Sequence, residues 1–168
     1  LIGIKDWWTN RWLSIRCSII GVLVGVIPGL GGSVVDWIAY GHSIQTTTDK
    51  SKFGKGEIRG VIAPESANNA KEGGGLVPTL LFGIPGSGSM AIFIGALALL
   101  GSGELEVGQS MLTDNLDYTY GIVWLLAIAN VIGTALCIVL APQIARLTSI
   151  PFVLVAPFVF MIITFAAF

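Results

Sequence analysis

Two short interruptions, PGLGGS at residues 28–33 and PGSGS at residues 85–89, lie inside runs that are otherwise apolar enough for a bilayer interior. Pro28 and Pro85 remove a backbone donor, and the glycines around them let the chain leave helical geometry. In hydrocarbon an unpaired backbone group is costly, so irregular backbone persists only beside protein or a water-filled cavity. A half-helix that starts after such a break aims its free N–H groups and positive dipole end into that cavity, a geometry suited to carboxylates. Gly29, Gly31, Gly32, Gly86 and Gly88 permit close approach to the backbone, and Ser33, Ser87 and Ser89 add uncharged hydroxyl donors. The competing reading is that Pro and Gly only kink packed helices, since small residues are common at helix contacts in membranes. Two similar breaks in one short chain favour a lined cavity.

Polar groups flank the second break. Asn68 and Asn69 offer amide donors and acceptors, and Glu65 adds a carboxylate; Asp36 lies just after the first break. Ionisable groups at membrane depth are functional candidates, so Glu65 and Asp36 are candidate sites for taking up a proton or holding sodium, with pairing to a basic side chain at the interface as the alternative. His42 is the only histidine, which excludes a histidine metal cluster within this sequence.

Other chemistry finds no support. Hydrophobic residues make up 54% of the 168 and charged ones 11%, and the net charge of -1 leaves no electrostatic footprint for nucleic acid. The Gly-Lys of FGKGE lacks the spacing of a phosphate loop. A serine nucleophile in GSGS would need a base, and His42, at a membrane edge, is the sole candidate. Cys17 and Cys137 sit in apolar runs and read as small buried hydrophobes rather than a disulfide framework. No enzyme activity and no cofactor is expected. A membrane scaffold or assembly subunit, which moves no substrate, remains the rival to a transporter.

The elements that must position these residues are helical. Trp7, Trp8 and Trp12, interleaved with Lys5, Arg11 and Arg16, have the make-up of an interfacial segment. Residues 17–40 read as two half-helices joined at PGLGGS, and 42–60 as a polar loop. A short helix opens near Pro64 and ends at Gly73–Gly75, and residues 76–100 form a second broken segment. Residues 101–118, with Glu104, Glu106, Asp114 and Asp117 but no Lys or Arg, form an acidic loop on the side opposite the basic one. Residues 120–140 make a spanning helix, 141–150 a turn carrying Arg146, and Phe152 onward a second span broken by Pro157. The expected class is therefore an all-α polytopic membrane protein with discontinuous transmembrane helices and short re-entrant or interfacial helices. Both ends of the sequence read as cut, as in a fragment of one transmembrane domain.

GVIPGLGGSVVDWIAYG and FGKGEIRGVIAPESANNAKEGGGLVPTLLFGIPGSGSMAIFIGAL together resemble the large membrane subunit of tripartite tricarboxylate transporters, the TctA-like family, strongly over residues 21–100. The resemblance marks Pro28, Gly29 and Gly31 in one motif, Pro64 through Asn69 in a second, and Pro85, Gly86 and Ser87 in a third. It implies a bacterial inner-membrane, multi-pass secondary transporter for carboxylates, coupled to a proton or sodium gradient. The implied partners are a periplasmic substrate-binding protein and a small membrane subunit. It also implies two related halves, of which the later one is present here, so that this stretch alone should not transport. Asp36, where the family pattern has a small or uncharged residue, and SGELE, in place of a Pro-Gly-Pro turn, depart from the family pattern.

Overall fold

The computed structural model describes residues 2–100, 107–147 and 150–167, and every regular element among them is helical. In chain order these are α1 (Ile2–Thr9), α2 (Arg11–Gly25), α3 (Gly31–Thr46), α4 (Arg59–Phe82), α5 (Gly88–Leu100), a 3-10 turn (Gln109–Leu112), α6 (Leu116–Leu147) and α7 (Phe152–Ala167). They divide into two compact units, Leu1–Gly121 and Ile122–Phe168.

In the first unit α2 and α3 form an antiparallel hairpin with PGL at its tip. Leu13 and Cys17 of α2 share a buried cluster with Val35 and Ala39 of α3 and Ala63 and Ala67 of α4, and Thr46 and Thr47 line the same cleft as residues 9–16. The two segments expected as successive halves of one span are thus folded back on each other. The reason lies at the tip: α2 closes over Val26 and Ile27, and Gly29 takes φ 83°, a left-handed turn residue that reverses the chain.

α4 runs parallel to α2 and antiparallel to α3. Ser14 and Ser66 share a 2.7 Å hydroxyl hydrogen bond across α2 and α4, and the Ser43 hydroxyl donates to the Arg59 carbonyl at 3.2 Å across α3 and α4. The α2–α4 contact is made by backbone on backbone. A Cβ at Gly21 would collide with the Ala67 carbonyl oxygen, one at Gly25 with that of Lys71, and one at Gly74 with that of Val22. Gly21 and Gly25 are one helical turn apart, the small-xxx-small spacing that lets helices approach in membranes.

That seam explains why Gly73–Gly75 do not end the helix, as local propensity predicts. The cost of helical glycine, about 1 kcal/mol relative to alanine, is offset at Gly74 by an approach that no side chain permits. α4 therefore runs through Pro64, which falls in its second turn, and through Pro78, stopping at Gly83 (φ 63°), where the Ile84 N–H returns to the Pro78 carbonyl at 3.2 Å. Helix α3 likewise carries Gly41 and His42 on to Thr46, because Ala39 and Ser43 continue its buried face. The polar connection is thus residues 47–58, shorter than the expected 42–60.

Small residues such as Cys17, Ala39, Ala63 and Ala67 share the interior with Leu13, Leu76, Leu80 and Met111, while many large apolar side chains face outward, with Trp37 75% and Leu23 64% exposed. Such a surface suits lipid or a protein partner. Of the expected acidic loop, residues 101–106, including Glu104 and Glu106, lie outside the described part. The rest folds onto α4, with the Gly108 N–H on the Leu80 carbonyl at 2.9 Å and Met111 fully buried. Asp117 sits in the first turn of α6, where a negative charge complements the helix dipole.

The second unit consists of the rest of α6 and α7. Within α6, Leu116–Arg146 is long and apolar enough to cross a bilayer. α6 passes Pro142 and runs to Leu147, through most of the expected turn over 141–150, of which residues 148–149 lie outside the described part, and α7 passes Pro157 without the expected break. One proline removes a single ladder bond, which transmembrane helices tolerate. Cys137 is exposed on α6, whereas Cys17 is buried as expected.

Candidate functional site

The chain after α4 turns back along it. The Thr79 hydroxyl donates to the Gly75 carbonyl at 2.6 Å and accepts the Gly86 N–H at 3.4 Å, and a Cβ at Gly86 would lie 3.3 Å from the Gly75 Cα and 3.6 Å from the Gly25 carbonyl oxygen. Ser87 then caps α5: its hydroxyl accepts the Met90 N–H at 3.3 Å and its carbonyl the Ala91 N–H at 3.0 Å. The PGSGS turn is thereby pressed against the end of α2, just before PGLGGS.

A crevice results, lined by Val24, Gly25 and Ile27 of α2 and its tip, Lys71, Glu72 and Gly75 of α4, and Gly86 and Ser87. It has no room for a water molecule. Lys71 is buried there, its side chain 9% exposed, with Nζ 2.7 Å from Oε1 of Glu72, whose side chain is 33% exposed. The crevice thus joins a desolvated cation, the start of a helix and a backbone free of side chains at Gly25, Gly75 and Gly86. Those are the elements of an anion-binding place.

Of the expected lining residues, Gly86 and Ser87 line this crevice. Pro28 and Gly29 are exposed at the hairpin tip beside Ile27, and Pro85, Gly88 and Ser89 are exposed around the second turn. Gly31 and Gly32 open α3; their surroundings and the side chain of Ser33 lie outside the described part. Asn68 is half-buried, Asn69 and Glu65 are exposed on α4, and none of the three lines the crevice. Asp36 is half-buried on α3, with Oδ1 shielded and without a hydrogen-bond partner among the described residues; His42, on the same helix, has Nε2 in the same condition. No group of three or more metal-ligating side chains occurs among the described residues.

Sequence reasoning does not single out Lys71, Glu72 or Thr79. Lys-Glu in a moderately polar helix reads as a solvated face, and only the register set by the glycine seam turns Lys71 inward. The available signal is the Gly21-x-x-x-Gly25 spacing, which names the contact face of α2. Outside the crevice, Arg59 Nε donates to Glu57 Oε1 at 2.8 Å, and this bond holds the Glu57 carboxyl below the ordinary glutamate range.

The geometry defines a class: an all-helical protein, among its described residues, with one helix long and apolar enough to cross a bilayer and a buried charge beside its second chain break. Comparison with known proteins gives the family. The tripartite tricarboxylate transporter TctA family matches residues 1–168, and the chain belongs to it, a family of membrane transporter components. The chain is 31% identical to an uncharacterized 52.8 kDa protein in the TAR-I ttuC' 3' region of Agrobacterium vitis, over 99% of this chain and 34% of that protein. It is also 31% identical to an uncharacterized protein in the TAR-II ttuC' 3' region of the same organism, over 82% of this chain and 55% of that protein. The chain thus spans about a third and about half of these relatives. No solved structure matches it.

Proposed function

We propose that this chain forms part of the membrane subunit of a secondary transporter for tricarboxylates or related organic carboxylates. The observation that supports it best is the packing of the second Pro-Gly segment on the end of α2, with Gly86 and Ser87 set against Gly25 and Ile27 beside the buried Lys71. The α2–α3 hairpin acts as a re-entrant element. Each of its helices is only ~22–24 Å long at 1.5 Å per residue, short of a ~30 Å hydrocarbon core, and α6 spans the bilayer within a multi-pass protein of the bacterial inner membrane. Family membership supports the rest: a periplasmic binding protein delivers the carboxylate, a small membrane subunit accompanies the large one, and a proton or sodium gradient drives uptake by alternating access. Pro28, Gly29, Gly31, Gly32, Ser33, Pro85, Gly88 and Ser89 belong to the moving rims of the site and Asn68 and Asn69 to its approach, with Glu65 and Asp36 as further cation-holding groups.

The closed, dry crevice favours a second reading, a non-transporting assembly subunit. Uptake decides between them. The full-length subunit that contains this sequence, in vesicles with its small partner and binding protein, is expected to accumulate labelled citrate or another carboxylate. Gly86→Val, which forces side-chain atoms into the Gly75 and Gly25 backbones, is expected to abolish uptake while the protein still inserts. Normal uptake by Gly86→Val removes the site assignment, and no uptake of any di- or tricarboxylate by the wild type supports the assembly subunit.

A further inference from the structure

Lys71 and Glu72 are neighbours in sequence, and adjacent helical side chains diverge by about 100° around the axis. Their 2.7 Å ion pair is therefore not one that a helix forms by itself. It requires the long Lys71 side chain to bend within the crevice toward the one carboxylate that lines it. From α2 the crevice receives only Val24, Gly25 and Ile27, and from the turn before α5 only Gly86 and Ser87. Lys71 and Glu72 are thus the only charged groups among its described lining residues. The two partners are held unequally: the Lys71 side chain is 9% exposed and that of Glu72 33%. Lys71 is fixed at the helix seam, its carbonyl against Gly25, while Glu72 has a path outward.

We infer that Glu72 is the internal stand-in for a substrate carboxylate: the incoming carboxylate takes Lys71 from Glu72, and the displaced Glu72 carboxylate takes up the coupling cation. This rests on the transporter reading above and gives that site its counter-charge and its coupling group. The charges balance at each stage. In the empty state Lys71 and Glu72 neutralise each other. After exchange the substrate carboxylate neutralises Lys71, and the freed Glu72 is neutralised by a proton or a sodium ion, because a carboxylate left unpaired beside a desolvated crevice is strongly disfavoured. One cation therefore accompanies each carboxylate that engages Lys71, and substrate binding and ion binding become obligatory partners.

The test uses the full-length subunit with its small partner and binding protein in vesicles, labelled citrate and a panel of di- and tricarboxylates as probes, and gel filtration of each variant to confirm folding. Glu72→Gln is expected to lose accumulation driven by the pH or sodium gradient, while retaining carboxylate exchange above the Lys71→Gln level. Which gradient loses its effect identifies the cation. Lys71→Gln, and the uncharged pair Lys71→Gln with Glu72→Gln, are expected to lose exchange by more than about tenfold, as removing one partner of a buried charged contact does, and Lys71→Arg to restore part of it. If the uncharged pair accumulates carboxylate like wild type, the ion pair is only structural and this inference falls, while the site stands if Gly86→Val still blocks uptake. If Glu72→Gln still accumulates substrate in response to the gradient, its coupling role is refuted. If the wild type moves no carboxylate, the transporter reading itself fails.

Discussion

Gly21→Ala tests the structural seam on which the candidate site stands. The added Cβ would overlap the Ala67 carbonyl oxygen and lie 2.9 Å from the Ala67 carbonyl carbon and Cα. Restoring ordinary contact requires α2 and α4 to part by roughly 1 Å, a gap that forfeits about half of the attraction at each atom pair along the seam. Overpacking of this kind costs about 1–3 kcal/mol, while replacing a helical glycine gains up to about 1 kcal/mol in propensity. The clean comparison is therefore with Gly95→Ala and Gly133→Ala, helical glycines whose added Cβ would meet nothing within 4 Å and which gain the propensity alone. The difference is about 2 kcal/mol, or roughly 4–8 °C at ~2–4 °C per kcal/mol. The assay is thermal denaturation of the full-length protein in detergent, followed by gel filtration of a fluorescent fusion. A Gly21→Ala protein melting within about 1 °C of both controls would refute the backbone-on-backbone contact, and with it the register that turns Lys71 inward.

Thr79→Val removes the hydroxyl that ties the second turn to α4, along with its bond to the Gly75 carbonyl within α4, and leaves the Gly86 N–H without that partner, so a loss of about 1–3 kcal/mol is expected, measured in the same melt. Equal stability would show that the turn is held by other contacts. Because Arg59 lowers the Glu57 carboxyl below its ordinary value, the pair contributes order above the unfolded range and loses it as pH falls through the folded value. Hydrogen exchange in residues 47–58, corrected for intrinsic rates, should rise between about pH 5 and pH 3. Glu57→Gln should abolish that rise, and an unchanged pH profile in the variant would assign it to another group.

The helix ends at Pro28-Gly29 and Pro85-Gly86 were legible because there Pro and Gly stand together, whereas the lone Pro64, Pro78, Pro142 and Pro157 lie inside helices. Gly73–Gly75 were misleading for another reason. Their weak propensity is a local quantity, and the contact of Gly74 with the Val22 carbonyl is not. Whether PGLGGS joins two halves of a span or turns a hairpin is equally non-local, since it depends on Ala39 finding Cys17 and Ala67. Glu65 and Asn69 drew attention as polar residues near a break, yet chemical type alone cannot say which side of α4 meets α2. One turn further along, Lys71 carries the same kind of signal and is the residue that is buried.

The seam and the charged crevice are consequences of one arrangement. Glycines at 21, 25, 74 and 75 bring two backbones together, and the contact ends where Gly25 and Gly75 meet Gly86. A long side chain rooted at that end, as Lys71 is, has little space between the helices and extends along the crevice instead. The same closeness that excludes water leaves the ammonium dependent on a carboxylate. Loosening the seam should therefore weaken the Lys71–Glu72 pair without touching either residue, which makes stability and carboxylate handling coupled properties of this bundle.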